Sequence, residues 1–217
     1  MNIRKVTLWV ILSVVFTTCN LSNDDNGADN DWPLIGAQLQ YAVTLDGQIS
    51  SANEWSDTDY VDMDWDSGMH PDPLYVKARV WAKNDNNWLY VLYRIEWPST
   101  DTDVEDGAQL AHYWGTYVPP WEYSDLGHVK FGGSSFDGYG WDGSQWHSDT
   151  DAGGEINVEG VATQWGTYYW FEIRKELCSG EEYDWCLIPG ETYYFLTGIW
   201  DPNPGEGYHS FAQIEIY

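Results

Sequence analysis

Carboxylates are the most abundant side chains that could do acid–base chemistry, because the chain has 35 Asp and Glu against 9 Lys and Arg. A glycosidase places two carboxylates about 5 to 10 Å apart across a cleft, and spacing marks no such pair in this sequence. The sequence also has no Gly-x-Ser-x-Gly elbow and no His-Glu-x-x-His motif. It therefore predicts a protein that is not an enzyme.

The excess of acidic residues gives a formal charge of −26 at pH 7. Such a surface repels phosphate backbones and anionic lipid, which argues against nucleic-acid binding. The Asp-rich segment 62–66 lacks the spacing and the closing Glu of an EF-hand, and we interpret it as a solvated acidic loop. The charge indicates solubility in an extracellular or salty environment, with cation binding as the alternative.

Cys178 and Cys186 flank a short segment that contains Ser179 and Gly180. An exported protein meets oxidising conditions, so we expect a disulfide that closes this loop, with free thiols as the alternative. The chain has no Cys-x-x-Cys-His motif, so haem cannot be attached covalently in the c-type manner. Two cysteines without companion His spacing also argue against a structural zinc site.

Residues 1–18 have the composition of a signal peptide. Arg4 and Lys5 precede the apolar run 6–16, which is too short to span a bilayer core of about 30 Å. Cys19 then follows Phe-Thr-Thr, a loose match to a lipoprotein signal in which the Cys receives the lipid; an unmodified Cys is the alternative. The leader predicts export to the cell surface, the periplasm or the medium, with membrane contact only through this lipid anchor.

The remaining chain is predicted to contain a tether and one domain. Residues 19–31 are rich in Asp and Asn, and we expect a disordered acidic tether there. Residues 32–217 are long enough to enclose a substantial core and are interpreted as a single binding domain.

Short apolar or alternating runs separated by Gly, Pro, Asn and Asp predict strands, and no apolar face recurs at helical spacing. The turn 84–87 is expected to join two of these strands as a hairpin. Residues 132–154, rich in Gly, Ser and Asp, are predicted to form a long loop. The fold class is therefore predicted to be all-β, a two-sheet antiparallel β-sandwich. The candidate strands are 39–45, 75–82, 88–97, 108–114, 128–131, 155–164, 168–175, 193–200 and 210–217.

Fifteen Trp and sixteen Tyr are more aromatic side chains than a sandwich core of Val, Ile and Leu requires. Most are expected to pack across the sheets, but some must lie at the surface or line a pocket. A flat ring offers an apolar face for stacking and a polar edge for hydrogen bonds, which suits a sugar ring, a porphyrin or a protein partner. The composition alone does not show whether the ligand is a sugar, a porphyrin or a protein.

An ordered series of motifs extends from residue 45 to the C-terminus. It begins with Asp46-Gly47 and Glu54-Trp55, continues through the hairpin and segment 106–110, and ends with block 169–177, Trp200-Asp201 and His209. The series resembles the haem-binding domain related to the γ subunit of ethylbenzene dehydrogenase and dimethylsulfide dehydrogenase (the cytochrome c-552/DMSO reductase-like haem-binding domain). That domain is itself similar to DOMON domains and to family 9 carbohydrate-binding modules, which share the first half of the series.

The resemblance implies non-covalent b-type haem at one end of the sandwich. His209, beside Trp200 in the loop that enters the last strand, would be one axial ligand to the haem iron. The ethylbenzene-type proteins supply a Met as the second ligand, and no Met lies beyond Met69 here. His112, His128 and Met69 are the candidates for this position, in that order.

Two functions of different classes follow from the sequence. The first is an exported haem b module that transfers electrons to or from a redox partner protein. The second is a non-catalytic module that binds a polysaccharide or a protein partner. The later half of the motif series favours the haem module, and a Soret band in the purified protein would distinguish the two.

Overall fold

The computed structural model describes residues 32–66, 75–96, 107–112, 124–140, 146–201 and 206–217. Within these ranges the regular structure is twelve strands and one 3₁₀ helix, Asp149–Ala152. No helix in the described ranges is long and apolar enough to cross a membrane. The strands are β1 Leu34–Ile35, β2 Tyr60–Asp66, β3 Tyr75–Asn84, β4 Trp88–Glu96, β5 Gly107–His112, β6 Ser124–Lys130, β7 Ser135–Gly140, β8 Trp146–Ser148, β9 Val158–Trp165, β10 Tyr168–Glu176, β11 Thr192–Asp201 and β12 Glu206–Glu215.

The strands form two antiparallel sheets that are joined at one point. The first sheet has the order β8-β7-β6-β5-β11-β12, with β1 added in parallel to β12. The second sheet has the order β2-β3-β4-β10-β9. A single residue pair, His209 on β12 and Asp66 on β2, links them. The predicted two-sheet antiparallel β-sandwich is confirmed.

Side chains from both sheets meet in one hydrophobic core. On β3 and β4 the residues that face this core alternate with residues on the opposite face, as a two-residue period requires. The Tyr93 hydroxyl donates to the Gln109 carbonyl oxygen at 3.2 Å, across the two sheets. The core-facing residues of the hairpin are Val76, Ala78, Val80, Ala82, Leu89, Val91, Tyr93 and Ile95.

The hairpin predicted around residues 84–87 is present. β3 and β4 pair from Lys77 opposite Glu96 to Asn84 opposite Leu89. The Asp85 carboxylate fixes the turn by accepting the backbone N–H groups of Asn87 and Trp88, at 2.7 and 2.8 Å.

The strand predicted at 39–45 is wrong. The Leu39 N–H donates to the Asn84 carbonyl oxygen at 2.7 Å, but the following N–H groups donate to side chains and no ladder forms. Gln40 and Tyr41 donate to Asp57 Oδ2, and Thr44 donates to Glu54 Oε1. Leu39 and Val43 pack on the outer face of the second sheet. The segment therefore covers a sheet face and adds no strand to it.

The long loop predicted at 132–154 is also wrong in its described part. β7, β8 and the 3₁₀ helix lie within it. Gly133, with φ 74°, takes the left-handed conformation in the turn between β6 and β7, so a Gly-rich composition marks a tight hairpin here.

The segment 62–66, predicted as a solvated loop, is instead part of β2, where Met63 and Trp65 face the core and the aspartates face outward.

Candidate functional site

The outer face of the second sheet is partly covered by residues 37–58. The buried Glu172 carboxylate holds this segment: Oε2 accepts the backbone N–H groups of Asp46 and Gly47 at 2.9 and 3.0 Å, and Oε1 accepts the Trp55 indole N–H at 3.2 Å. Burial raises the pKa of Glu172 to about 7, although the hydrogen bonds oppose this. Gly47 has φ 74°, and a Cβ there would lie 2.8 Å from Thr163 Cγ2.

The motifs that carry the family resemblance at Asp46-Gly47 and Glu54-Trp55 therefore have a structural role in fastening this segment. The Glu54 carboxylate accepts the backbone N–H groups of Thr44 and Ser50 at 2.7 and 2.8 Å. Lys83, fully buried, donates to Asp57 Oδ1 and to the Tyr41 carbonyl oxygen, both at 2.9 Å. The segment is thus fixed on the sheet, and only the remainder of the outer face is open.

Glu172→Ala is expected to lower the free energy of unfolding by about 3 kcal/mol, because three N–H donors lose their acceptor in a buried site. Glu159→Ala is the matched control, since Glu159 lies on the same face and its ion pair with Arg174 is exposed. Urea unfolding of both variants measures the difference. Equal losses in the two variants would contradict this role for Glu172.

An aromatic strip crosses this face and is exposed at its two ends. It consists of Tyr60 on β2, Trp81 on β3, Trp170 on β10 and Trp165 at the end of β9. Successive ring centroids lie 5.5, 6.3 and 6.5 Å apart. Tyr60 and Trp165 are 48% and 61% exposed, whereas the two middle rings are 6% exposed. The strip therefore offers an accessible ring at each end.

Two guanidinium groups lie against the strip. Arg79 stands 3.6 Å above the Tyr60 ring and forms a bidentate pair with Asp62, at 2.6 and 2.9 Å. This pair holds the pKa of Asp62 below its usual range. Arg94 lies 4.7 Å from the ring centroid of Tyr168 and 6.0 Å from that of Trp170.

Two buried N–H groups lie at the centre of the strip. Arg94 is paired directly with Trp170 across β4 and β10. Arg94 Nε and Trp170 Nε1 have no acceptor in the part of the chain that the structure describes. The exposed rings at the two ends of the strip suit a ligand with an apolar face and hydroxyl groups at its edge, as a sugar ring has.

Two of the histidines predicted as haem ligands, His209 and His128, do not face each other. His209 lies within β12 and not in a loop, which corrects the prediction; its neighbour across the sheet is Gly198, followed by Gln109 and His128. Residues in such a row project from the same face, and three strand spacings place His209 and His128 about 14 Å apart. Burial lowers the pKa of His209, opposed by Asp66. Parallel side chains at this separation do not fit the two axial positions of one iron.

The other residues predicted for the haem site are described only in part. His112 pairs with Phe195 and Asp125 through its backbone, and Trp200 pairs with Gly107 and Gly207. The side chains of both lie outside the described residues, as do Met69 and the lipidation candidate Cys19.

The structure joins Cys178 to Cys186 through a disulfide with an S–S distance of 2.04 Å. Next to it, the Leu187 N–H donates to the Leu177 carbonyl oxygen at 2.6 Å, and the Leu177 N–H donates to the Asn87 carbonyl oxygen at 2.8 Å. The disulfide loop is therefore attached to the β3–β4 turn.

Thiol titration of the unfolded, unreduced mature protein is expected to find neither Cys178 nor Cys186 free. A loop of this length stabilises the fold by roughly 2 to 3 kcal/mol in the chain-entropy model. Cys178→Ser together with Cys186→Ser should lower the free energy of unfolding by that amount. Two reactive thiols in the wild type would contradict the bridge.

A buried cluster of charges lies between the two sheets. Lys175 Nζ is 3.1, 3.3 and 3.4 Å from carboxylate oxygens of Asp125, Asp137 and Asp184, and 2.9 Å from Asn157 Oδ1. Burial would lower the pKa of Lys175, but the three carboxylates raise it. These carboxylates are close enough together to hold a metal ion, yet the Lys175 ammonium already contacts all three. We therefore interpret the cluster as structural.

The cluster contains more acidic than basic residues. Burial raises the pKa of Asp125 to about 7, and it raises the pKa of Asp137 as well. Asp149, in the 3₁₀ helix, is 2% exposed and neither of its carboxylate oxygens has a hydrogen-bond partner in the described residues. Burial, reinforced by the neighbouring carboxylates, raises the pKa of Asp149 to about 8.

The sequence matches no family model and no curated protein. Solved structures do match it. One is a family 9 carbohydrate-binding module from Caldicellulosiruptor kristjanssonii in complex with glucose, at 13% identity and a TM-score of 0.53 over 84% of this chain and 95% of that chain. The fold is that of family 9 modules. The module in complex with cellotriose gives 14% identity and a TM-score of 0.54, over 84% and 93% of the two chains.

A further similar structure is a putative carbohydrate-binding protein from Bacteroides uniformis, at 8% identity and a TM-score of 0.51. It covers 84% of this chain and 99% of that chain. The shared family 9-like fold confirms the part of the sequence resemblance that concerned architecture. These comparisons offer no support for its haem-binding part.

Proposed function

We propose that this chain is a non-catalytic carbohydrate-binding module that binds neutral glycans on the aromatic strip. The observation that carries the proposal is the pair of exposed rings, Tyr60 and Trp165, at the two ends of a continuous line of aromatics. The family 9-like fold supports it, since the similar modules were solved with glucose and with cellotriose.

Binding would use stacking for affinity and hydrogen bonds for orientation. The Trp165 and Tyr60 rings present apolar faces to the sugar rings. Arg79 and Arg94, already held against aromatic rings, would donate to sugar hydroxyls without a further loss of side-chain freedom. The fastened segment 37–58 keeps the sheet beneath the strip rigid.

The charges around the strip favour an uncharged ligand. Asp62, Asp64 and Glu96 lie on the same face as Arg79 and Lys77, so the basic residues there are balanced by acids. The formal charge of −26 on the whole chain repels polyanions at long range. We therefore assign the module to neutral polysaccharides.

We further propose that the domain is exported by the leader 1–18 and tethered through residues 19–31, with Cys19 as the lipid attachment point. This location would hold an extracellular polysaccharide at the cell surface. The arrangement of His209 and His128 does not favour the haem-binding alternative, and no redox partner is proposed.

The proposal is tested by two measurements on the purified protein. The first is its depletion from solution by insoluble cellulose, xylan and mannan, and the second is its retardation in gels that contain soluble polygalacturonate. Retention by at least one neutral glycan is expected, with little change between 0.05 and 0.5 M salt, because stacking is not screened while charge steering acts over only about 8 Å at 0.15 M. Absence of binding to every neutral glycan would overturn the proposal. A Soret band in the purified protein would indicate bound haem. Turnover of a glycan without a partner would contradict a non-catalytic role.

A further inference from the structure

A cavity of about 510 Å³ opens at the other end of the second sheet from the exposed Trp165. It lies between the β3–β4 turn and the disulfide loop, and Trp88 and Glu176 form part of its lining. These two residues are directly paired across β4 and β10. Trp88 lies six positions before Arg94 on the same strand, which places the cavity about 20 Å from the centre of the aromatic strip.

The walls of this cavity are fixed by bonds already described. The Asp85 carboxylate holds the turn that carries Asn86 and Asn87, and the Leu177 N–H ties the disulfide loop to the Asn87 carbonyl oxygen. The disulfide itself closes the rim. A preformed cavity of this volume lies within the range of small-molecule sites, roughly 300 to 1,000 Å³.

Residues with unused polar groups line the cavity beside an aromatic ring. The side-chain amides of Asn86 and Asn87 and the carboxylate of Glu176 make no hydrogen bond to the described part of the chain. The Trp88 ring is half-buried, with the Arg174 guanidinium 4.5 Å from its centroid. Each amide both donates and accepts, and the carboxylate accepts, which matches neighbouring hydroxyl groups on a polyol.

The charges of the cavity exclude an anionic ligand. Glu176 is its acidic group, and the nearby Arg174 is paired with Glu159 at 2.6 Å. An anion would therefore meet an unpaired carboxylate and no free cation. A neutral molecule with hydroxyl groups and one apolar face satisfies the amides, the carboxylate and the indole together.

We infer that this cavity is a second carbohydrate site, which takes one or two neutral sugar residues such as a chain end. The ligand class rests on the proposed function, whereas the site is separate from the aromatic strip. Two sites about 20 Å apart on one rigid sheet would let the module bind a polysaccharide at two points. Bivalent attachment of this kind raises the apparent affinity for a polymer above that for a short oligosaccharide.

The experiment is calorimetric titration of the full-length mature protein with cellotriose, using the wild type, Trp88→Ala, Asn86→Ala and Trp165→Ala. The wild type should bind two equivalents, and each single variant at either site should bind one. Asn86→Ala guards against a folding defect, because the exposed Asn86 amide holds no other residue; circular dichroism checks every variant.

One equivalent in the wild type, unchanged by Trp88→Ala and Asn86→Ala but abolished by Trp165→Ala, would overturn the second site and leave the proposed function intact. Absence of binding to cellotriose and to the neutral polysaccharides would overturn both. Loss of one of two equivalents in Asn86→Ala, with the other retained, would support the second site.

Discussion

Trp165→Ala is expected to weaken binding of a neutral polysaccharide at least tenfold. Trp165 is 61% exposed and ends the aromatic strip, so its ring is available for stacking without any rearrangement. Truncating an aromatic anchor of a binding surface typically costs about 2 kcal/mol or more, and about 1.4 kcal/mol corresponds to a factor of ten. Depletion isotherms on the glycan that the wild type binds best measure the loss.

Tyr60→Ala, at the other end of the strip, is also expected to weaken binding of the neutral polysaccharide. The matched control is Tyr217→Ala, because Tyr217 is 45% exposed and its hydroxyl only donates to the neighbouring Glu215. Trp165→Phe should retain part of the affinity, since a smaller ring still stacks. If Trp165→Ala and Tyr60→Ala bind as tightly as the control Tyr217→Ala and the wild type, the strip is not the binding surface.

Asp149→Asn is expected to stabilise the protein strongly at pH 8 and much less, by about 1 kcal/mol, at pH 5. The folded-state pKa of Asp149 is about 8, whereas an unfolded carboxyl ionises near 4. Between these values the folded state binds a proton that the unfolded state has released, so stability falls as pH rises from about 4 to about 8. Asn resembles the protonated form and removes this loss, on the order of 2 to 5 kcal/mol at pH 8.

Asp151→Asn is the matched control, because the exposed Asp151 lies in the same 3₁₀ helix and the substitution changes the net charge equally. Urea unfolding at pH 5, 6, 7 and 8 measures both variants. Because burial raises the pKa of Asp125 to about 7, the free energy of unfolding of Asp149→Asn should still fall as pH rises, but less steeply than that of the wild type. Equal stabilisation by the two substitutions would show that general charge repulsion, and not the burial of Asp149, causes the effect.

The architecture could be predicted where a strand alternates core and outward residues, as β3 and β4 do. β7 could not, because its composition is that of a loop. Its buried Asp137 accepts the backbone N–H of Asn157 and is paired with Lys175, a residue 38 positions later that approaches it in the folded state. A buried carboxylate with a distant partner leaves no signal in a local sequence window.

The sequence predicted the residue types of the candidate site but not which positions would form it. The number of Trp and Tyr required surface aromatics, yet Tyr60, Trp81, Trp165 and Trp170 come from four strands whose pairing sets their order. A local signal was present in β3, where Lys77, Arg79 and Trp81 alternate with core residues. The prediction that His209 lies in a loop was wrong, because the fold places this motif within a strand.

The most direct test of carbohydrate binding on the aromatic strip is a titration of the ¹⁵N-labelled mature protein with cellotriose, following the indole N–H resonances of its Trp residues. Binding on the strip predicts that the resonance of Trp165 shifts in a saturable manner, with smaller shifts at Trp170, whose ring is next in the strip, and at Trp81 beyond it. Saturable shifts that leave these three resonances unmoved, or no shift in any indole resonance with any neutral oligosaccharide, would contradict it.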